Sequence, residues 1–386
     1  MHYNYAILGS GRQGTAAAYD LLLYGNCKSL WLVDQNSRQV ESARKRLQKL
    51  TNNSSIQTRA IDIRDRQKLS EFLQEIDVCI SAVPFYFNLE ITKAAIATQT
   101  SMCDLGGNTA IVYQQLALHE EARKAEVSIV PDCGMSPGLA NNLAAYLISK
   151  FDQPEEIYIW DGGLPQNPRP PWNYLLTFNF EGLINEYYGT TEFIRQGKIV
   201  EIPAFTEYEL VPFEEPLGEL EAFVTTGGTS TAPRTYLGRL QTYQNKTLRY
   251  PGHFHQWNVF KQAGFFETEP VKVNGNEYRP RDLLLAVVEP QIRARPGDKD
   301  FAIIRVKGLG KIKNQKTELF LEIIDRYDED TGFTAMERLT GWHAAIVAGM
   351  IARGEVTTGA IPLEKAVSGE RIVQEIRKRG IAVKEY

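Results

Sequence analysis

Tyr5-Ala6-Ile7-Leu8-Gly9-Ser10-Gly11-Arg12-Gln13-Gly14 is the stretch that decides the fold. Four apolar residues run into the spacing G-x-G-x-x-G, and residues 15–23 then carry the Ala and Leu content of a helix that stops near Gly25. The glycine pattern alone is weak, because glycines also mark ordinary tight turns. A strand before it and a helix after it supply the context that its mechanism needs. In that context Gly9 gives the tight turn, Gly11 lets backbone approach a pyrophosphate, and Gly14 allows the helix to pack closely on the strand. Ser10, Arg12 and Gln13 complete the loop, and the free N–H groups at the helix start face the phosphates. Leu30-Trp31-Leu32-Val33 is the next apolar run, and it ends in Asp34. That position lies about twenty residues beyond the last glycine, where a carboxylate hydrogen-bonds the adenosine ribose. A carboxylate there repels a 2′-phosphate, and Gln35 and Asn36 supply no arginine to receive one. NAD is therefore the expected cofactor, with a helix N-cap as the other role open to Asp34.

Outward from this loop the same alternation continues. Residues 39–50 form a charged helix and 52–55 a loop; 57–63 read as a strand, 67–73 as a helix and 78–83 as a buried strand. Residues 89–98 make a helix, 101–105 a strand closed by Gly106-Gly107, 116–125 a helix and 127–130 a strand. Near-continuous apolar strands between amphipathic helices predict a doubly wound α/β domain with a parallel sheet covered on both faces. Ligands bind beyond the carboxyl ends of such strands. Ala82, Val83 and Pro84, closing the fourth strand, suit backbone passing close to the ribose–nicotinamide half. Asp62, ending the third strand, fits either an adenine contact or a plain loop aspartate. Asp104 ends the fifth strand and points toward the nicotinamide.

After residue 151 the pattern changes to apolar stretches at 157–160, 175–180, 220–225, 301–307 and 319–327, joined by Gly, Pro and Asn turns. Asn274-Gly275, between Val271-Lys272-Val273 and Glu277-Tyr278, is a strong hairpin signal. Strands clustered this way, with few helices, predict an α+β domain on a largely antiparallel sheet. A helix over 334–353, stopped by Gly354, is expected to return to the first domain. The division is thus 1–135 for the dinucleotide, completed by 336–386, and 136–335 for substrate binding and oligomerisation.

Composition bounds the class. The 386 residues carry 43 Lys+Arg against 47 Asp+Glu, for a net charge of −4. No Lys/Arg run is longer than Arg44-Lys45-Arg46, so nucleic acid is excluded as a partner. No stretch approaches the roughly 18 apolar residues of a membrane helix, and no basic leader precedes the first strand. A cytoplasmic protein with no membrane partner is expected. Cys27, Cys79, Cys103 and Cys133 show no C-x-x-C pairing and read as free, mostly buried thiols. With 17 Phe, 18 Tyr and 5 Trp and a sheet face to cover, a homodimer or larger assembly is expected.

A nicotinamide enzyme needs an acid or base beside the reacting carbon. His253 and His255 follow the strand 246–250, in the turn at Pro251-Gly252; their H-x-H spacing finds no third metal ligand, and no metal is expected. His343 in the last helix suits a buried core position. Gly228-Thr229-Ser230-Thr231 offers backbone N–H groups and hydroxyls suited to a carboxylate, or is a plain threonine-rich loop. Arg234 and Arg249 are candidate carboxylate clamps, since guanidinium binds that group bidentately.

Taken together these segments resemble the saccharopine dehydrogenase-like family. The resemblance rests on the Gly9–Gly14 loop, Ser81-Ala82-Val83-Pro84-Phe85-Tyr86, Asp104-Leu105-Gly106-Gly107 and Val130-Pro131-Asp132-Cys133-Gly134-Met135-Ser136-Pro137-Gly138. Within the family, Trp160-Asp161-Gly162-Gly163-Leu164-Pro165, Phe178-Asn179-Phe180-Glu181-Gly182-Leu183, the 227–231 loop, the run from Lys246 to His253 and Arg279-Pro280-Arg281-Asp282 look most like its lysine 6-dehydrogenases. The resemblance implies NAD-dependent oxidative deamination of the L-lysine ε-amine to 2-aminoadipate 6-semialdehyde, which cyclises to piperideine-6-carboxylate as ammonia leaves. For that chemistry Asp104, placed by its strand end, is the first choice of base or ammonium anchor, and His253 is the second, for proton transfer or imine hydration. Arg249 and the loop Gly228–Thr231 would hold the α-carboxylate. Trp172, Tyr174 and Phe180 would pack on the methylene chain or serve as domain core. Saccharopine- or carboxynorspermidine-type imine reduction remains an alternative, because Arg169, Arg234, Arg239 and Arg249 are all available. A non-catalytic NAD-binding regulator and a homospermidine-synthase-type transferase are the remaining readings.

Overall fold

The computed structural model describes residues 2–52, 56–177 and 180–386; residues 53–55 of the expected loop, and Phe178-Asn179, lie outside them. The first domain comprises β1 (Tyr3–Leu8), α1 (Arg12–Tyr24), β2 (Cys27–Asp34), α2 (Ser37–Thr51), β3 (Ile56–Ala60), α3 (Arg66–Leu73), β4 (Val78–Ser81), α4 (Asn88–Ala97), β5 (Ser101–Asp104), α5 (Thr109–Leu116), α6 (His119–Lys124) and β6 (Ser128–Val130). The strands pair in parallel in the order β6-β5-β4-β1-β2-β3. All four residues of β4 are buried, as are Tyr5 to Leu8 of β1, because helices cover both sheet faces. The strand order reverses between β1 and β4, and the glycine loop opens at that crevice. The single helix read over 116–125 is broken: α5 begins earlier and ends at Leu116, and a new turn starts at His119.

The second domain follows α7 (Leu139–Ser149). Its elements are β7 (Gln153–Pro165), α8 (Phe180–Glu186), β8 (Thr190–Arg195), β9 (Lys198–Pro203), β10 (Glu209–Pro212), β11 (Glu219–Phe223), α9 (Ala232–Tyr236), β12 (Thr242–Arg249), α10 (His253–Gln262), β13 (Val271–Val273), β14 (Asn276–Tyr278), α11 (Pro280–Ile292), β15 (Asp300–Ile312) and β16 (Gln315–Arg326). The main path runs β10-β11-β12-β7-β15-β16, with β8 and β9 branching from β12. The pairing is antiparallel except between β12 and β7, so the sheet is mixed. β13 and β14 form the hairpin read at Asn274-Gly275, where both turn residues have positive φ (51° and 83°), as a type I′ turn requires. Helices α8, α10 and α11 were not legible as helices. They bury Leu183, Trp257 and Leu284 in an aromatic core with Tyr187, Phe223 and Phe266.

The chain then runs through α12 (Ala335–Glu337), a π-helical turn (Arg338–Trp342), α13 (His343–Ala352), β17 (Gly359–Ala360), α14 (Leu363–Ala366), α15 (Gly369–Lys378) and β18 (Lys384–Glu385). Thr334 caps α12 with Glu337 in a capping box, and Gly354, at φ 71°, ends α13. The π turn lies on α1 so tightly that a Cβ on Gly341 would stand 2.7 Å from the Gln13 carbonyl oxygen and 2.8 Å from the Ala16 methyl. His343 is fully buried, bonded to Asn142 Oδ1 at 2.8 Å and to backbone oxygens of Cys133 and Gly134. β17 extends the first sheet beside β6, whereas β18 pairs with β16 of the second. Among the described residues no helix is long and apolar enough to cross a membrane.

Arg379 closes this return. Its Nη2 donates to Asp20 Oδ2 on α1 at 2.8 Å and its Nη1 to Glu375 Oε2 at 2.6 Å, with Arg379 and Asp20 side chains almost wholly buried. Removing one partner strands a buried charge, which costs about 3–5 kcal/mol. Arg379→Ala is therefore expected to lower the unfolding free energy by about that amount in urea melts; a change under ~1 kcal/mol would show that the bridge is not what secures the C-terminal segment.

Candidate active site

The glycine loop is built by close contacts. Gly9 has φ +100°, and a Cβ there would stand 2.5 Å from the Ala82 carbonyl oxygen at the end of β4. A Cβ on Gly14 would stand 1.9 Å from the Gly9 oxygen, so the start of α1 rests directly on the loop. At Gly11 nothing lies within 4 Å of that position, and the loop faces open space there. The N-terminus of α1 has no side-chain cap, which leaves its amides for an anion. The Ser10 hydroxyl turns inward to the Val33 carbonyl, while its N–H donates to Asp34 Oδ2 at 3.0 Å. Asp34 Oδ1 accepts from the Asn36 N–H, and Asn36, not Asp34, is the N-cap of α2, accepting from Arg38 and Gln39. A second, open depression continues along Gln35 to Arg38, Ala60 and Asp62. Asp62 is forked by Arg64, whose guanidinium and backbone N–H hold its carboxyl down at about 2. Arg38, unnoticed in the sequence, joins this surface. These residues fit a pyridine dinucleotide: an uncapped helix start at an open glycine for the pyrophosphate, and a carboxylate at the strand end for the ribose.

From the loop a cavity of about 780 Å³ runs between the two domains. One end is formed by Gly11, Arg12 and Gln13 with Ala82, Val83 and Pro84; the far end holds Asp161, Glu186, Asn245 and Arg249. Arg249, the last residue of β12, is 3% exposed. Its Nε donates to the Tyr187 hydroxyl at 3.1 Å, its Nη1 to the Leu248 carbonyl at 2.9 Å, and its Nη2 lies 3.6 Å from Glu186 Oε2. The Tyr174 ring lies 5.1 Å from the guanidinium carbon. Burial pushes the Glu186 carboxyl upward and Arg249 opposes it. Asp161, in mid-strand on β7, has no cation in contact. Burial raises its carboxyl to about 6 against hydrogen bonds from Asn245 and Ser136 and, more weakly, the Arg249 charge.

The structure brings together only part of the set expected from sequence. Gly11, Arg12 and Gln13 of the loop, Ala82 to Pro84, Tyr174, Gly228 and Arg249 line the cavity, whereas Gly9, Ser10 and Gly14 support the loop from behind. Asp104 does not. It is buried behind the wall, taking hydrogen bonds from Gln115 Nε2 (2.8 Å), the Gly106 N–H (2.8 Å) and the Asp132 N–H (3.3 Å), and it anchors loops instead of meeting substrate. His253 starts α10 instead of sitting in a turn, and lies behind Tyr187, its Nε2 2.8 Å from that hydroxyl. Burial, then the nearby Arg249 charge, drives its pKa well down, so it stays neutral. His255 on the same helix turn is exposed, which separates the H-x-H pair. Among the described residues no group of three or more His, Cys, Asp or Glu can hold a metal.

Trp172 packs on Trp257 and Phe260 with its N–H on Gln291, outside the lining. Phe180 is core. The Ser230 and Thr231 hydroxyls do meet carboxylates, but the protein's own, and the Thr229 hydroxyl meets none. Ser230 donates to Asp132 Oδ2 and Thr231 to Glu364, while Thr229 bonds Thr191 and the Glu192 carbonyl. Sequence reasoning missed Glu186 as a site residue, for which no local signal existed. It also passed over Asp161, whose signal was an acid inside an apolar strand before Gly162-Gly163.

Two protein-family profiles match the chain: "Saccharopine dehydrogenase NADP binding domain" over residues 5–130 and "Saccharopine dehydrogenase C-terminal domain" over residues 134–381. A pyridine-nucleotide oxidoreductase is the class that this fold and cavity define. More particularly, the chain belongs to the saccharopine dehydrogenase family. It is 21% identical over 401 residues to the saccharopine dehydrogenase [NADP(+), L-glutamate-forming] of Schizosaccharomyces pombe, covering 84% of this chain and 87% of that one. It is also 21% identical to the mitochondrial alpha-aminoadipic semialdehyde synthase of Rattus norvegicus, covering 87% of this chain but 43% of that longer protein. The apo saccharopine dehydrogenase (L-Glu forming) of Saccharomyces cerevisiae shares the fold, with a TM-score of 0.79 at 17% identity, covering 100% of this chain and 99% of that one.

Asp132 supplies a pH prediction. Burial, with Asp104 beside it, raises its carboxyl to about 8, against about 3.9 when unfolded. The folded state therefore binds this proton more tightly. The resulting stabilisation is full below about pH 4 and is lost as pH rises through about 8. Asp132→Asn, which keeps a partner for Ser230, is expected to flatten the fall in unfolding free energy between pH 5 and 9; urea melts with an unchanged pH slope would contradict it.

Proposed function

We propose that this protein catalyses the NAD-dependent oxidative deamination of the ε-amine of L-lysine, giving 2-aminoadipate 6-semialdehyde and ammonia. One observation carries the reading: the far end of the cavity sets one buried arginine against two carboxylates, Arg249 with Glu186 and Asp161. Lysine has the complementary set, one carboxylate and two ammonium groups. A substrate with more carboxylates needs more free guanidinium groups, and the other candidates are engaged. Arg169 forks Asp298, and Arg234 forks Glu192. Arg239 lies outside the lining.

Bound NAD would supply the hydride acceptor; the chain's own residues do the rest. Arg249 binds the α-carboxylate, and Tyr187 and Tyr174 hold that guanidinium in place. Gly228 leaves room beside Asn245, since a Cβ there would stand 2.5 Å from Asn245 Oδ1. The lysine ammonium, with a pKa of about 10.4 in water, cannot yield hydride until it loses a proton, and a desolvating cavity eases that loss. A saccharopine-type reaction is the second reading. It is favoured by Arg293 at the cavity mouth, though Glu289 pairs with it, and by the names of the relatives.

NADH absorbance with NAD and a panel of L-lysine, ornithine, saccharopine and carboxynorspermidine separates the readings; no NADH from lysine at alkaline pH removes the first. For the cofactor, Asp34→Ala is expected to raise the KM for NAD about tenfold, the loss of one charge-assisted contact, and to erode discrimination against NADP. Arg38, on the same surface, is the residue that would receive a 2′-phosphate. Unchanged constants for both nucleotides would refute the ribose assignment.

A further inference from the structure

The cavity holds three carboxylates, and they are not equivalent. Glu289 stands at the mouth, ion-paired with Arg293. Glu186 lies against Arg249. Asp161 alone has only neutral partners in contact: the amide of Asn245, from the adjoining strand β12, and the Ser136 hydroxyl. Ser136 belongs to the loop that leaves the carboxyl end of β6, the side of the sheet where a nicotinamide is held. Asn245 also donates to that hydroxyl at 3.3 Å, so both domains orient one carboxylate. The groups facing it are therefore Asn245 and Arg249 of β12, Glu186 of α8 and Ser136. A carboxylate clamped by a cation is a poor proton acceptor, whereas one held by neutral donors in a dry wall keeps its affinity for a proton.

We propose that Asp161 is the catalytic base of this cavity, taking the proton from the side-chain ammonium of the substrate, while Glu186 and Arg249 hold the α-amino and α-carboxylate groups. The proposal rests on the lysine-oxidising reading. Proton transfer converts R–CH2–NH3+ and the Asp161 carboxylate into R–CH2–NH2 and the carboxylic acid. The free nitrogen lone pair then forms the C=N bond as hydride leaves the carbon for oxidised nicotinamide, giving R–CH=NH2+ and NADH. Water adds to this iminium, the C–N bond breaks, and R–CHO and NH4+ depart. Asp161 returns its proton to solvent through the cavity.

The test compares the unmutated protein with Asp161→Asn and Asp161→Glu by three readouts. NAD affinity, from fluorescence titration, is expected to be unchanged in both. Calorimetry without nucleotide is expected to show L-lysine bound at least tenfold more weakly by Asp161→Asn, while norleucine, which lacks the ε-amine, binds equally to both. In turnover, Asp161→Asn is expected to lose about 10²–10⁴ in kcat near neutral pH, the usual contribution of a general base. That deficit shrinks as pH approaches the ammonium's own pKa of about 10.4. Asp161→Glu keeps the charge but displaces it, and is expected to retain lysine affinity while losing at least tenfold in kcat. Equal weakening of lysine and norleucine, or a pH–rate profile unchanged in Asp161→Asn, would overturn the assignment, as would full activity of Asp161→Glu. If the unmutated protein itself makes no NADH from lysine, the substrate reading fails; if it does and Asp161→Asn keeps pace with it, only Asp161 is wrong.

Discussion

A guanidinium taken almost wholly out of water must be compensated on every side, because an unpaired buried charge costs several kcal/mol. Arg249 imposes that constraint on the whole far end of the cavity. Its Nη1 finds the carbonyl of its own neighbour Leu248, and its Nη2 approaches Glu186 at the end of α8. Its Nε takes Tyr187, and Tyr187 in turn takes His253. His253 is stacked between Trp257 and Phe223, so the aromatic core of the second domain is the outer shell of one arginine. Helices α8 and α10 are placed by this demand as much as by burial of apolar area.

The parts of the fold legible in sequence are those where a local geometry needs a local residue. Gly9 and Gly14 touch neighbouring backbone at distances that forbid a side chain, and Asn274-Gly275 takes two positive φ values; a short pattern can carry that information. Strands buried on both faces announce themselves as apolar runs. Helices α8, α10 and α11 do not. In α10 the buried residues are a histidine and a tryptophan, so no apolar stripe marks its period.

The site residues divide in the same way. The rule that ligands lie beyond strand ends puts Asp104 next to Leu105 and Gly106, which line the cavity, but says nothing of its side chain, which turns away to Gln115 from α5. The threonine loop was read as a carboxylate receiver, and its hydroxyls do receive carboxylates, from Asp132 and Glu364 of the other domain. What the sequence withholds is the identity of the long-range partner. Asp161 shows the same limit: an acid inside an apolar strand marks it locally, but the partner that fixes its carboxylate, Asn245, lies 84 residues away.

The path of the chain end has a mechanical meaning. After α7 carries the chain into the second domain, the segment from α12 to β17 brings it back to the first sheet, and β18 returns to the second. The two domains are thus stitched three times, and the cavity lies along the seam. One peptide cleaved at any single crossing would leave the halves tethered by the other two. Any opening that admits substrate must therefore bend or slide all three crossings together.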